Sequence, residues 1–143
     1  MGAVKNQGGC GSCWAFSATS VLEARISILK TATASGVLVP PVRLSEQQLV
    51  DCTLTGTFYN YGCNGGWSDS AWGYAKETGL MLETDYPYTS GSTGLTGATC
   101  NFDSSKPLQK VLSYGYITPA SAYTNLATKG PINIYVYASC SNF

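Results

Sequence analysis

Gln7 and Cys13, six positions apart, are the two side chains of this sequence best placed to do chemistry together. They lie within Gln7-Gly8-Gly9-Cys10-Gly11-Ser12-Cys13-Trp14-Ala15-Phe16, in which an apolar periodic segment begins directly after Cys13. A thiol at the start of a helix faces the positive end of the peptide dipole and unpaired backbone N–H groups, surroundings that favour thiolate over thiol. A glutamine on the glycine-rich loop upstream can swing its side-chain amide beside the backbone N–H of that cysteine, and the two donors would form an oxyanion hole. The chemistry expected is attack of Cys13 on a carbonyl carbon, with Gln7 stabilising the charge that develops on oxygen. The competing reading makes Cys13 a buried thiol packed against Trp14.

The elements that must position this pair follow from periodicity. From Trp14 to Lys30, apolar residues at Ala15, Ala18, Leu22, Ile26 and Leu29 recur in steps of three and four, widened by Trp14, Val21 and Ile28. This predicts a helix buried on most of its circumference. Gly36 ends that region, and Pro40-Pro41 forces an extended link. In Leu44-Ser45-Glu46-Gln47-Gln48, Ser45 can cap a short helix from Glu46 to about Cys52 while Gln48 reaches back to it. A loop follows that ends in Cys63-Asn64-Gly65-Gly66, where paired glycines let another chain approach closely. Trp67 to Thr78 predicts a third helix, with Ala71, Trp72 and Ala75 on one face and Gly79 as the stop. Tyr86-Pro87-Tyr88 is expected to be extended and Ser90 to Thr99 a loop. Alternation then predicts strands at Lys110 to Ile117 and Ile132 to Ala138, with a short helix at about Ala120 to Thr128 between them.

The chain has 143 residues, 44% hydrophobic and 11% charged, too apolar for a disordered tail. Eight basic residues balance eight acidic ones, which removes the electrostatic footprint of a nucleic-acid binder. No apolar run approaches a bilayer span, and Met1 to Gly9 has no signal-peptide core, so no membrane partner is expected. Six cysteines point to an oxidising compartment. Histidine is absent from the sequence, which excludes imidazole chemistry within it.

Cys10-Gly11-Ser12-Cys13-Trp14 closely resembles the signature of the papain and cathepsin family of cysteine peptidases. The resemblance extends through Val4-Lys5-Asn6-Gln7, Trp14-Ala15-Phe16-Ser17, Leu44 to Cys52, Gly62 to Gly66, Tyr86-Pro87-Tyr88 and Gly130-Pro131, so that it covers roughly Ala3 to Ala138. It implies an α+β fold of two domains. Residues 1–106 would form a nearly complete helical domain carrying the nucleophile helix, and 107–143 the start of a β-barrel domain. It implies Cys13 as nucleophile, Gln7 as the oxyanion-hole side chain, and disulfides joining Cys10 to Cys63 and Cys52 to Cys100. Gly65 and Gly66 would be the ledge on which a substrate peptide binds as an extended strand. Trp67 and Ser68 would lie near the pocket for the second residue before the scissile bond. Tyr135 stands where the family has a smaller residue, which would narrow that pocket. The partners implied are a peptide or protein substrate, protein inhibitors and a propeptide; no metal or other cofactor is implied. The implied location is lysosomal, vacuolar or extracellular.

Such peptidases need an imidazole to take the thiol proton and an asparagine to orient the ring. Both are expected about 130 to 150 residues beyond the cysteine, at or past Phe143. The chain therefore reads as C-terminally truncated and, by itself, inactive. Two rivals compete with a peptidase. A thiol redox or zinc module could use the Cys10-Gly11-Ser12-Cys13 pair, although Cys52, Cys63 and Cys100 are wrongly spaced for zinc. A non-catalytic homologue could bind peptides or inhibitors through the same half-cleft. Cys140 has no match in the family pattern.

Overall fold

The computed structural model describes residues 2–33, 40–97 and 99–136. Gly36, the last residues of the second expected strand, and Cys140 lie outside them. Helix α1, Cys13–Thr33, is the longest element, and α2, Glu46–Cys52, and α3, Ser68–Glu77, pack against it. Ala15 and Ala18 of α1 and Ala71 and Ala75 of α3 are fully buried. Their small side chains let the two helices approach closely, and Trp72 Nε1 on α3 donates to the Ala18 carbonyl at 3.2 Å. Around them the core takes Cys10, Trp14, Leu44, Leu49, Val50, Leu80 and Val111. Truncating one of these buried leucines to alanine costs about 2–5 kcal/mol through lost transfer energy and the cavity left behind.

The apolar stripe of α1 is buried only in its first half. Ile28 is 49% and Leu29 65% exposed, against the expectation that both lie inside, because α2 and α3 cover the end of α1 that carries Cys13.

Helix α2 starts as its sequence predicts, with Ser45 Oγ accepting from the Gln48 N–H at 2.9 Å. The reciprocal half of the expected cap does not form. Gln48 turns inward instead, donating to the Gly79 carbonyl at 3.0 Å and accepting from the Met81 N–H at 2.7 Å. A buried strand edge offers that amide both a donor and an acceptor, and the Ser45 N–H bonds to the Met81 carbonyl at 3.0 Å.

Strands β1, Leu80–Met81, and β2, Leu108–Gln109, pair antiparallel with Leu80 opposite Gln109 and Met81 opposite Leu108. A single turn, α4, Ser90–Thr93, interrupts the expected loop, and α5, Pro119–Lys129, spans the fourth predicted helix. The two long strands expected later are not formed: 110–117 and 132–136 have no ladder among the described residues. Alternation marks a chain ready to bury one face, but a strand needs a hydrogen-bonding neighbour. Leu112, Tyr116, Ile134 and Val136 are accordingly exposed, and α5 buries no residue.

Candidate active site

Cys13 is the first residue of α1, its thiol free and exposed, which excludes the reading of a buried cysteine packed on Trp14. The helix turns from Ser12, whose carbonyl accepts from the N–H groups of Ala15 at 2.9 Å and Phe16 at 3.2 Å. The N–H of Cys13 itself has no acceptor among the described residues, as expected for a first-turn donor. Trp14 anchors the turn from below: it is 2% exposed, and its Nε1 donates to the Gly62 carbonyl at 3.1 Å. The thiol is therefore held up at the surface by the indole beneath it.

The loop before Cys13 is fixed at several points. Asn6 Oδ1 accepts from the Gly8 N–H at 2.9 Å, and the Gly9 N–H donates to the Gly91 carbonyl at 2.9 Å. Gly8 has φ of +61°, and a Cβ there would lie 2.3 Å from the Gly91 oxygen, so only glycine fits. The Gln7 side-chain amide donates to the Cys10 carbonyl at 3.0 Å. Its second N–H has no partner among the described residues and stays available beside the start of α1. Two polar neighbours complete the loop: Tyr88 Oη donates to the Gln7 carbonyl at 2.8 Å and lies 2.7 Å from Ser12 Oγ.

Cys10 is joined to Cys63, closing 53 residues, and Cys52 to Cys100, closing 48. Since Cys10 pairs with Cys63, Cys10 and Cys13 do not form a dithiol couple. Among the described residues no group of cysteine and acidic side chains is arranged to hold a metal. The first disulfide continues into a parallel bridge, with the Gly11 N–H donating to the Cys63 carbonyl at 2.9 Å.

That bridge places Gly65 and Gly66 alongside the turn that starts α1. Gly65 has φ of +110° and open space where a side chain would stand. Gly66 is a close approach, for a Cβ there would meet Asn60 Oδ1 at 2.5 Å and the Trp14 ring at 2.7 Å. Asn60, fully buried, also accepts from the Trp67 N–H at 2.6 Å. Ser68 is buried and donates to the Trp14 carbonyl at 3.0 Å. Its N–H donates to Tyr135 Oη at 2.8 Å, so Tyr135 serves as the cap that α3 lacks from its own Trp67. The Tyr135 ring meets Trp67 at 5.8 Å in an edge-to-face arrangement, and Asn133 Nδ2 bonds to Ser17. Tyr135 thus covers the ground between Trp67 and Ser68.

Beside the loop lies a half-buried charge cluster around the buried Glu46. Lys5 Nζ is 2.6 Å from Glu46 Oε1, 3.1 Å from Glu23 Oε1 and 3.3 Å from Glu83 Oε2, and donates to the Leu44 carbonyl at 3.2 Å. Burial works against the Lys5 charge, but the hydrogen bonds and attraction of Glu46 and Glu23 outweigh it and hold the ammonium above its ordinary range. Burial raises the Glu46 carboxyl, partly opposed by hydrogen bonds from Lys5 and Thr19. Both shifts have one physical source: one ammonium serves three carboxylates, and Glu46 Oε2 is buried without a partner among the described residues.

Gln7, Cys13, Gly65, Gly66, Trp67, Ser68 and Tyr135 are all gathered around the head of α1. Tyr88, Asn60 and the Lys5 cluster had no role assigned from sequence. An extended Tyr-Pro-Tyr stretch gives no sign of where its hydroxyls point, and Lys5 and Glu46 are 41 positions apart.

A family model described as papain family cysteine protease matches residues 1–143. Cathepsin L 2 of Paramecium tetraurelia is 39% identical over 137 residues, covering 96% of this chain and 39% of the relative. Digestive procathepsin L 3 of Tenebrio molitor larval midgut superposes with a TM-score of 0.67 at 35% identity, covering 90% of this chain and 38% of that one. A Carica candamarcensis cysteine protease in complex with E-64 superposes with a TM-score of 0.70 at 31% identity, covering 90% of this chain and 54% of that one. The chain thus spans about two fifths of the length of the curated relative.

Proposed function

The chain belongs to the papain family of cysteine proteases, and we propose that it carries the nucleophile half of a peptidase site that cleaves peptide bonds through Cys13. The observation that carries this reading is a free, exposed thiol at the head of α1, next to a loop that holds the Gln7 amide. In the reaction the Cys13 thiolate attacks the scissile carbonyl carbon, and the Cys13 N–H and the Gln7 amide receive the oxyanion. The carbon–nitrogen bond then breaks, the amine leaves with a proton, and water releases the acid from the thioester. Proton delivery to the amine and activation of the water are the work of an imidazole in this class of chemistry, and these 143 residues contain none. The chain by itself is therefore proposed to be acylated without turning over, and to leave unactivated peptides intact.

Substrate is proposed to lie extended along Gly65 and Gly66, the first leaving open space and the second packed from behind by Trp14 and Asn60. The side chain of the second residue before the scissile bond would face Trp67, Ser68 and Tyr135. The Tyr135 hydroxyl on the Ser68 N–H narrows that space in favour of small or flat side chains.

The core draws almost wholly on residues before 107, with Val111 the one buried apolar residue beyond it among the described residues. This supports residues 1–106 as the helical domain and 107–143 as the beginning of a second. Two disulfides fit an oxidising compartment, lysosomal, vacuolar or extracellular. Proposed partners are peptide substrates, thiol-directed inhibitors and a propeptide; a relative's structure holds E-64 and another is a procathepsin.

Labelling by an epoxysuccinyl peptide tests the reading against that of a pure binding module. The account predicts one adduct, on Cys13, formed faster than by an epoxide lacking the peptide. Binding of the peptide with no preference in labelling would favour the binding module.

A further inference from the structure

Tyr88 is neither nucleophile nor oxyanion donor in the reaction proposed above, yet its hydroxyl touches the chain at both ends of the segment that leads into Cys13. It donates to the Gln7 carbonyl at 2.8 Å and lies 2.7 Å from Ser12 Oγ. A phenol has one proton, so with that proton directed to Gln7 its oxygen accepts from the Ser12 hydroxyl. Burial holds the Tyr88 phenol above its ordinary value, which keeps the donating proton in place, while the Ser12 bond pulls slightly the other way. The ring is fixed edge-on against Phe16 at 4.9 Å. Ser12 is itself fully buried and immediately precedes Cys13.

One hydroxyl thus ties the backbone that carries the Gln7 amide to the residue that sets the Cys13 N–H. The Gln7 amide is also held by the Cys10 carbonyl, and the loop at Gly8 and Gly9, but among the described residues only Tyr88 ties the Gln7 carbonyl to Ser12. We propose that Tyr88 is a positioning residue that fixes the separation of the two oxyanion donors, an inference that rests on the roles proposed for Gln7 and Cys13. An oxyanion is stabilised only when both donors meet it at hydrogen-bonding distance, so a loop free to drift weakens the transition state of acylation. Simple alkylation of the same thiol develops no oxyanion and does not depend on that separation.

The test compares two rates at Cys13 on the full chain: acylation by a peptidyl p-nitrophenyl ester and alkylation by iodoacetamide. Gln7→Ala is expected to lower the acylation-to-alkylation ratio about 10²-fold. Tyr88→Phe, which keeps the ring, is expected to lower it about threefold to tenfold. Because Tyr88 acts through Gln7, the double variant should be no slower than Gln7→Ala alone. Ser12→Ala, which removes the other leg, is expected to move the ratio in the same direction and serves if Tyr88→Phe folds poorly. A Gln7→Ala ratio equal to wild type overturns the oxyanion reading beneath the proposal. An effective Gln7→Ala with an ineffective Tyr88→Phe and Ser12→Ala, or losses that multiply in the double variant, overturns the role of Tyr88 alone.

Discussion

The side-chain amide of Gln7 donates one N–H to the carbonyl of Cys10 at 3.0 Å, three residues before the exposed thiol of Cys13. That bond rests the amide proposed to receive the oxyanion on Cys10, a residue anchored by its disulfide to Cys63. The second N–H remains free for a developing oxyanion. Loop, disulfide and helix start are joined into one turn that leaves the Cys13 thiol exposed.

The disulfide from Cys52 to Cys100 fastens the end of α2 to the segment after α4 and closes 48 residues. Restricting a loop of that length in the unfolded chain stabilises the fold by about 4 kcal/mol. Replacing both cysteines by serine should lower the unfolding free energy by that order in a denaturant titration, leaving Cys13 still reactive to thiol reagents. An unchanged midpoint would mean that the link constrains nothing.

Glu46 makes the fold respond to acid in an unusual sense. Burial raises its carboxyl, so the folded chain holds a proton at pH values where the unfolded chain has released it. Its contribution is therefore most favourable below the ordinary carboxylate value and is lost as pH rises through the raised, folded value. The stability of the wild type relative to Glu46→Gln should increase as pH falls from about 7 toward about 4. Denaturant titrations across that range check it, and a difference that is flat or shrinks toward acid contradicts the buried, under-paired carboxylate.

Gly65 and Gly66 resist substitution for different reasons. Gly66→Ala drives a Cβ into Asn60 and the Trp14 ring and should cost about 1–3 kcal/mol by overpacking. Gly65→Ala meets no atom but carries φ of +110°, a backbone strain of about 1–3 kcal/mol, and puts a methyl where the peptide is proposed to lie. Unfolding curves should show both losses, and Gly65→Ala should also slow labelling by an epoxysuccinyl peptide. Peptide-directed labelling at wild-type rate in Gly65→Ala would remove the ledge from the account.

The helical part of this molecule is legible in its sequence because its signals are local. The alternation of Ala15, Ala18 and Leu22, the Ser45 cap and the Gly79 stop each act within a turn or two of chain. The constellation of Gln7, Cys13, Gly65 and Gly66 is legible through motif. What the sequence conceals is long-range: Gln48 abandons its local cap for Gly79 and Met81, and Lys5 finds Glu46 across the fold. The strands expected at 110–117 and 132–138 are not formed among the described residues for a related reason, since periodicity describes a segment's own faces and says nothing of whether a partner strand stands beside it. Ile28 and Leu29 are 49% and 65% exposed although the periodicity of α1 places them on its apolar stripe, because a stripe does not say how much of its length neighbours cover.

The most direct test of the account is the release of p-nitrophenolate from a peptidyl p-nitrophenyl ester by the purified chain. Nitrophenolate leaves without needing a proton, so the first step requires only the thiol and the oxyanion donors, whereas release of the acyl group needs a base that this chain lacks. The account predicts about one equivalent released per chain, then a stall, with the acyl group on Cys13 by mass spectrometry and no burst in Cys13→Ser. A burst that survives in Cys13→Ser, or an acyl group found elsewhere, would contradict it.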